Sequence, residues 1–475
     1  MRSELALDRV LCARALESRD PRFDGVFFVG IRTTMIYCRP ICPSRLSRPD
    51  RRSFFATAAA AERHGYRPCL RCRPELAPGR ASVDAVSRVA RAAAARIAAG
   101  ALNGTGVVAL AAELGVSERH LRRAMEREFG VSPAELAQTQ RLLLAKCLLT
   151  DTALPITEVA FASGFQSLRR FNTVFRDRYR MPPSALRRQR PRAHASPTEP
   201  VDRVRLRLPY RPPLAWTALL ETLAADACAG VEVVRGAHYA RTVSLDGCRG
   251  VMEVTDTAGS YLAVELTVSL LPALMPLLAR LRHLFDLDAE PGTIRAHLTR
   301  GGLGALVARE PGLRVPGAFD GFEAAMRELV PERNMLLRLV ARLGEPAGDG
   351  APGLERLWPT PARVLRAGAG ELHALGLDAR SAERLLAVAH ALARGTLSLR
   401  PGADFDATTA SLEAIARVGP ATAAAIACRA LHWPDAPPVP GSDAPDDAEQ
   451  WRPWRTYAAA HLAREAWRTR TPHSA

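Results

Sequence analysis

The chain has 475 residues, with 65 Lys+Arg against 49 Asp+Glu and a formal net charge of +16. At about 150 residues per domain that length predicts several domains, and a hydrophobic content of 48% excludes wholesale disorder. No apolar run reaches the ~18–20 residues of a membrane span, and the opening MRSELALDRV puts charges where a signal peptide keeps its apolar stretch, so a soluble, cytoplasmic protein is expected.

The first 192 residues hold 34 Lys+Arg and 17 Asp+Glu, and the remainder is nearly neutral. That split predicts a polyanion-binding half joined to a neutral one. The basic residues are almost all arginine, with Lys146 the single lysine. Arginine suits bidentate phosphate contact, and a GC-rich genome would produce the same bias.

Residues 1–78 contain short β-type runs, such as Gly25-Val-Phe-Phe-Val-Gly-Ile, and end on the turn-rich Arg73-Pro-Glu-Leu-Ala-Pro-Gly. Four of the nine cysteines cluster here: Cys38 and Cys42 in a Cys-x3-Cys pair, then 26 residues, then Cys69 and Cys72 in a Cys-x2-Cys pair. Two close pairs separated by a loop are how a chain closes a tetrahedral zinc site. The other five, Cys12, Cys147, Cys228, Cys248 and Cys428, are scattered and read as small core residues. Ten arginines from Arg32 to Arg73 crowd the same segment, where a zinc held by four thiolates carries a formal −2. One metal-bound thiolate, kept ionised at neutral pH, is also a strong nucleophile.

Arg32-Thr-Thr-Met-Ile-Tyr-Cys38-Arg-Pro-Ile-Cys42, with Tyr66-Arg-Pro-Cys69-Leu-Arg-Cys72, resembles the N-terminal domain of the Ada-type adaptive-response regulators. In that family the first zinc thiolate takes a methyl group from a methylated DNA phosphate and keeps it. The resemblance puts that role on Cys38 and DNA contacts on Thr34, Arg45 and Arg67. A further basic contact position is occupied here by Pro43. Methylation would turn one thiolate into a thioether, take the site from −2 to −1, and tighten binding to DNA phosphates.

Residues 82–190 switch to helical periodicity. Ala111 precedes Gly115 by four residues, with apolar positions following at Leu121, Met125 and Phe129. The pattern returns 49 residues later as Ala160 and Gly164, with Leu168, Phe171 and Phe175. A small Ala lets two helices approach and the Gly opens the turn. Two such matches in phase resemble the tandem helix-turn-helix domain of the AraC family. The second helix of each pair should enter the major groove of double-stranded DNA. The candidates are Arg119, His120, Arg122 and Arg123 in the first copy and Gln166, Ser167, Arg169, Arg170 and Asn172 in the second. RNA polymerase is the protein partner such a regulator implies; no membrane partner is expected.

Residues 191–200 lack apolar periodicity and read as a linker. Residues 201–285 then alternate like strands around one or two helices, and 286–475 are helical between Pro- and Gly-rich turns. Tyr239-Ala-Arg-Thr-Val, Leu281-Arg-His-Leu-Phe-Asp-Leu, Pro311-Gly-Leu-Arg-Val-Pro-Gly and Trp451-Arg-Pro-Trp-Arg-Thr-Tyr resemble the 3-methyladenine DNA glycosylase II (AlkA-like) family. That family flips a damaged purine into an aromatic cleft and cleaves it with the help of an Asp. Such flipping needs aromatic faces and a gripping hairpin.

The hairpin reads Ile415-Ala-Arg-Val-Gly419-Pro-Ala-Thr-Ala where the family has Leu-Pro-Gly-x-Gly-x-Trp-Thr-Ala. Gly419 and Thr422 remain as DNA-gripping candidates, Arg417 replaces the first glycine, and Ala421, Ala425 and Ala463 fall at aromatic positions. The helix from Met326 is altered and looks shortened. Asp443 is the candidate catalytic carboxylate, with little room for a helix before Trp451. His283, His297 and His461 sit singly, without metal-ligand spacing. No Pro-Cys-His-Arg motif for a second methyl acceptor is present.

The expected fold is multidomain α+β: a small zinc-bound α/β domain (1–78), an all-α tandem helix-turn-helix (82–190), a linker (191–200), an α+β subdomain (201–285) and an all-α helix-hairpin-helix domain (286–475). Two functional readings follow. One is a methyl-accepting transcription factor with single-turnover repair chemistry at Cys38 and a fused glycosylase-like domain. The other is a DNA-binding regulator whose enzyme parts are vestigial.

Overall fold

The computed structural model describes residues 8–78, 88–189, 202–257, 259–348, 351–436 and 448–470. The chain is multidomain α+β and divides into two compact units, residues 1–211 with 260–279, and residues 212–259 with 280–475. The expected linker and Asp443 lie outside the described residues. Among those described, no helix is long and apolar enough to cross a membrane.

The first unit begins with α1 (Arg9–Glu17), whose N-cap Asp8 accepts from the Val10 and Leu11 amides. Strands β1 (Phe28–Ile31), β2 (Ile36–Cys38), β3 (Arg52–Phe55) and β4 (Arg67–Pro68) form a sheet in the order β3-β1-β2-β4. Helix α2 (Ala58–Arg63), capped by Thr57, follows β3. The β2–β4 pair is parallel and aligns Tyr37 with Pro68, which brings the two Cys pairs to the same end of the sheet.

Six helices build the helix-turn-helix part: α3 (Arg88–Ala98), α4 (Val107–Glu113), α5 (Glu118–Phe129), α6 (Pro133–Asp151), α7 (Ile156–Ala162) and α8 (Leu168–Tyr179), followed by the short α9 (Pro183–Arg188). Ser132 and Glu135 close a capping box at the start of α6, with Pro133 in the first turn, so this helix has a sharply defined beginning. In both repeats the turn glycine is left-handed, Gly115 at φ +67 and Gly164 at φ +88. A Cβ on Gly164 would also come within 2.5 Å of the Asn103 side chain, whereas one on Gly115 would meet nothing. The second turn therefore needs glycine for space as well as for backbone angle. Ala111 and Ala160 are buried, as are Leu121, Met125, Phe129, Phe171 and Phe175; Leu168 is half-buried.

Next along the chain come β5 (Arg203–Pro209), α10 (Trp216–Asp226), β6 (Glu232–Arg235), β7 (His238–Leu245), β8 (Cys248–Asp256) and β9 (Tyr261–Thr267). In the first unit β5 pairs antiparallel with β9; in the second, β6, β7 and β8 form an antiparallel meander. Inward residues alternate along β5 and β9, which gives the period-2 signal seen in the sequence. Helices α11 (Leu274–Leu284), α12 (Pro291–Leu298), α13 (Gly304–Arg309), α14 (Gly321–Leu329), α15 (Arg333–Leu343), α16 (Pro361–Ala374), α17 (Ala379–Arg394), α18 (Phe405–Ala416), α19 (Pro420–Leu431) and α20 (Arg455–Arg470) complete the chain. Met326, Leu339, Leu372, Leu385, Val388, Leu412 and Ile426 form the centre of one apolar core drawn from α14 to α19.

Candidate metal centre and nucleic-acid interface

Cys38 ends β2, Cys42 lies in the loop after it, and Cys69 and Cys72 follow β4. Their four sulfurs lie within 4.8 Å of one another and all four residues are buried. The Arg39 amide donates to Cys72 Sγ at 3.4 Å, the Arg71 amide donates to Cys69 Sγ at 3.4 Å, and Cys42 Sγ lies 3.4 Å from Ser44 Oγ. Among the described residues Cys38 Sγ has no such donor outside the cluster. Hydrogen bonding with Cys42 drives the Cys38 thiol far up and the Cys42 thiol far down. Sulfurs this close cannot each carry an independent proton, and a divalent cation removes the conflict by holding all four as thiolates. The donor set fits zinc, and Cys38, Cys42, Cys69 and Cys72 are its ligands.

The crowded arginines sort into two groups. Arg39 is buried, donating to Asp24 Oδ1 at 2.8 Å and to the Cys72 carbonyl at 3.2 Å. Arg52 is buried against the Ser47 carbonyl and Glu17, and Arg73 holds Glu75, Asp151 and Thr150. These three brace the fold. Thr34 and Arg45 are exposed, and Arg67 on β4 is half-buried, so the three family contact positions reach the surface.

Helix α6 meets the metal module through buried charge. Lys146, 1% exposed, donates to the Cys69 carbonyl at 3.1 Å and to Glu75, whose side chain is equally buried. Tyr37, next to Cys38, donates its hydroxyl to Glu62 at 3.0 Å, and Thr139 of α6 donates to the same carboxylate at 2.7 Å. Burial raises the pKa of Glu62. Sequence reading missed this network, because Lys146 stood out only as the single lysine and its partners Cys69 and Glu75 lie 77 and 71 residues away.

On the helix-turn-helix part, Arg119, His120, Arg122, Arg123, Gln166, Ser167, Arg169 and Arg170 are exposed and Asn172 is half-buried. Arg122 is engaged by Glu118 one turn earlier at 2.9 Å. Ser167 is the N-cap of α8, its hydroxyl accepting from the Arg170 amide at 3.4 Å, so it has a local structural role as well.

In the second unit, Arg417 takes a left-handed conformation between α18 and α19, at φ 48 and ψ 42, the position where the sequence resemblance expects glycine. Gly419 is the N-cap of α19 at an ordinary φ of −69, with open space where a Cβ would sit. Thr422, Ala421 and Ala425 are half-buried on α19 and Ala463 is exposed on α20. His461 is buried and His283 is half-buried. His283 Nε2 donates to the Arg429 carbonyl at 3.3 Å, its ring centroid is 5.3 Å from that of His432, and burial takes its pKa down to about 3. His432 lies 3.3 Å from the buried Asp286, which also accepts from the Tyr457 hydroxyl at 2.7 Å. These groups are too far apart in sequence for any spacing motif to have paired them. Of the five scattered cysteines, Cys12, Cys147 and Cys228 are buried, and Cys248 and Cys428 are half-buried.

A four-thiolate zinc module packed against a tandem helix-turn-helix, on a chain that also carries a helix-hairpin-helix, defines a zinc-containing DNA-binding protein. Comparison with known proteins narrows the class. The metal binding domain of Ada matches residues 11–75, a helix-turn-helix domain matches 110–189, and the AlkA N-terminal domain matches 205–320. A Mycobacterium tuberculosis protein described as a probable bifunctional transcriptional activator/DNA repair enzyme AlkA is 37% identical over 477 residues, 95% of each chain. The DNA-3-methyladenine glycosylase 2 of Escherichia coli is 32% identical over 54% of this chain and 95% of its own. The bifunctional transcriptional activator/DNA repair enzyme Ada of Escherichia coli is 34% identical over 26% of this chain and 34% of its own. The chain belongs to the family of bifunctional transcriptional activator/DNA repair proteins that join an Ada-type zinc domain and a helix-turn-helix to an AlkA-like glycosylase domain.

Proposed function

We propose that this chain accepts a methyl group from DNA methylphosphotriesters on Cys38 and, once methylated, binds double-stranded promoter DNA more tightly and activates transcription by contacting RNA polymerase. Bound zinc keeps the four sulfurs ionised at neutral pH. Cys38 Sγ attacks the methyl carbon, an S–C bond forms, and the C–O bond breaks with its electron pair left on the phosphate, which becomes an ordinary diester anion. Nothing regenerates the thiolate, so each chain turns over once.

The observation that carries this reading is the asymmetry among the sulfurs. Cys42, Cys69 and Cys72 each have an amide or hydroxyl beside them, which damps a thiolate, and Cys38 has none outside the cluster. Exposure does not distinguish them, since all four are buried. Thr34, Arg45 and Arg67 are the residues assigned to orient the strand.

The loss of one negative charge about 8 Å from a phosphate is worth roughly 0.5 kcal/mol in water and 2 kcal/mol at an effective dielectric of 20. That predicts a roughly 2- to 30-fold gain in operator affinity on methylation. The base-reading surface is Arg119, His120, Arg122, Arg123, Gln166, Ser167, Arg169, Arg170 and Asn172.

A second reading applies to the C-terminal half. Arg417 in a left-handed hairpin turn, with alanine at 421, 425 and 463 where the AlkA-like resemblance expects aromatics, supports a loss of base-excision chemistry, for which Asp443 is the candidate carboxylate and Gly419 and Thr422 the candidate DNA grips. This half is read as a DNA-scanning module with vestigial glycosylase chemistry. The test of the main reading is mass spectrometry after incubation with methylphosphotriester DNA. A gain of about 14 Da, one CH2, on the Cys38 peptide is expected in the wild type and none in Cys38→Ala; uptake of methyl by Cys38→Ala would reject the assignment.

A further inference from the structure

Within the first unit, a cleft of about 630 Å³ has walls from two modules. Thr34 and Arg67 line it from the metal module, and Arg178 and Arg180, at the end of the second recognition helix α8, line it from the other. Two carboxylates also line it, Glu62 and Asp177. Glu62 is occupied from inside by Tyr37 and Thr139 and sits 3.7 Å from Arg178, whose side chain keeps 22% exposure. Among the described residues neither Arg67 nor Arg180 has an anionic partner. Three arginines therefore line one cleft, two of them without an anionic partner among the described residues.

We propose that this cleft is a seat for a backbone phosphate of double-stranded DNA, shared by the metal module and α8, so that the strand presented to Cys38 is also gripped by Arg178 and Arg180. This inference rests on the functional reading above and adds to it a grip from the helix-turn-helix module. Guanidinium forks suit phosphate oxygens, and Arg178, held loosely by Glu62, keeps donors free for an anion. One duplex would then be held by both modules in cis.

The charges on the walls give opposite signs to test. Binding of the full-length, zinc-loaded chain to an unmodified duplex is followed by fluorescence anisotropy across a KCl series. Arg180→Gln removes one phosphate contact, so the slope of log K against log[salt] should flatten by about 0.9 and affinity at 0.1 M salt should fall roughly 8-fold. Arg180→Lys should restore most of the slope, and Asp177→Asn should tighten binding. Unchanged zinc content and thermal midpoint show that each variant is folded. If Arg180→Gln and Asp177→Asn both superimpose on the wild type, the seat does not exist. A parallel series in potassium phosphate at matched ionic strength separates the sources: an Arg180→Gln effect seen only with inorganic phosphate overturns the DNA assignment. Methyl uptake by the wild-type chain is measured alongside; its failure would reject the parent reading and leave the salt-slope result standing.

Discussion

The metal centre near the start of the chain and the hairpin near its end both sit on well-formed scaffolds, yet they match the residue patterns expected of them to different degrees. All four thiolates are present, buried and cross-braced by α6. The hairpin keeps its two helices and its core while Arg417 takes a left-handed angle in the turn and alanines stand at three positions where the AlkA-like resemblance expects aromatics. A four-donor site is nearly all-or-none, because the loss of one ligand costs metal and local fold together. A base pocket is a cavity on a core that folds without it, so its lining can erode while helices α14 to α19 stay packed. The lining of such a pocket can therefore change without loss of stability in the helices that carry it.

The comparison breaks most visibly in a single incubation with DNA carrying both lesions. Methyl should appear on Cys38, while release of 3-methyladenine should be the same, at background, for the wild type and Asp443→Asn. Release that disappears in Asp443→Asn would show the C-terminal site intact and remove the asymmetry.

The bracing of the metal centre is the next target. Lys146→Met takes a buried ammonium from Glu75 and from the Cys69 carbonyl. Breaking a buried pair costs about 3–5 kcal/mol; Arg73 still holds Glu75, so about 3 kcal/mol is expected. Zinc release into a chelating dye along a urea titration should shift to lower urea by that amount. An unshifted curve would mean that α6 does not support the site.

A pH series isolates the other unit, because all six tryptophans lie between Trp216 and Trp467. Folded His283 titrates near 3 because it is buried and faces His432, while an unfolded His titrates near 6.5. Between those values the unfolded chain binds a proton that the folded chain does not, so stability is full above pH 6.5 and falls as the pH is lowered. From pH 6.5 to 5 the loss should be about 2 kcal/mol by tryptophan fluorescence in urea, and His283→Asn should flatten it. A wild-type curve without slope would place His283 in solvent.

The smallest effect is Arg417→Gly. A non-glycine residue in the left-handed region costs about 1 kcal/mol, so this change should stabilise the second unit by about that amount in the same assay. A loss of stability would show that the Arg417 side chain contributes more than its backbone angle costs.

Much of this was legible before any coordinates. Cys-x3-Cys and Cys-x2-Cys announce a chelate because each pair is closed by a few residues of chain, and the two Ala…Gly turns announce helix pairs for the same local reason. The left-handed angle at Arg417 could be read from the glycine it replaces. The division of the arginines was not legible, since Arg39 and Arg45 look alike as letters and only burial against Asp24 separates them. Nor was Lys146 distinguishable from a solvated helix residue.

Spacing along the chain thus determined the metal, its four ligands and the paired recognition helices, because each Cys pair and each turn is closed locally, and the family resemblance pointed to the altered hairpin. The tertiary structure alone decided which charges are spent on bracing, that Tyr37, Thr139 and Arg178 gather around Glu62, and that Arg67 and Arg180 face one cleft. Glu62 is 25, 77 and 116 residues from Tyr37, Thr139 and Arg178, and Arg67 is 113 residues from Arg180. No local periodicity encodes such a meeting, because it depends on how whole elements pack and on where burial forces each charge to find a partner.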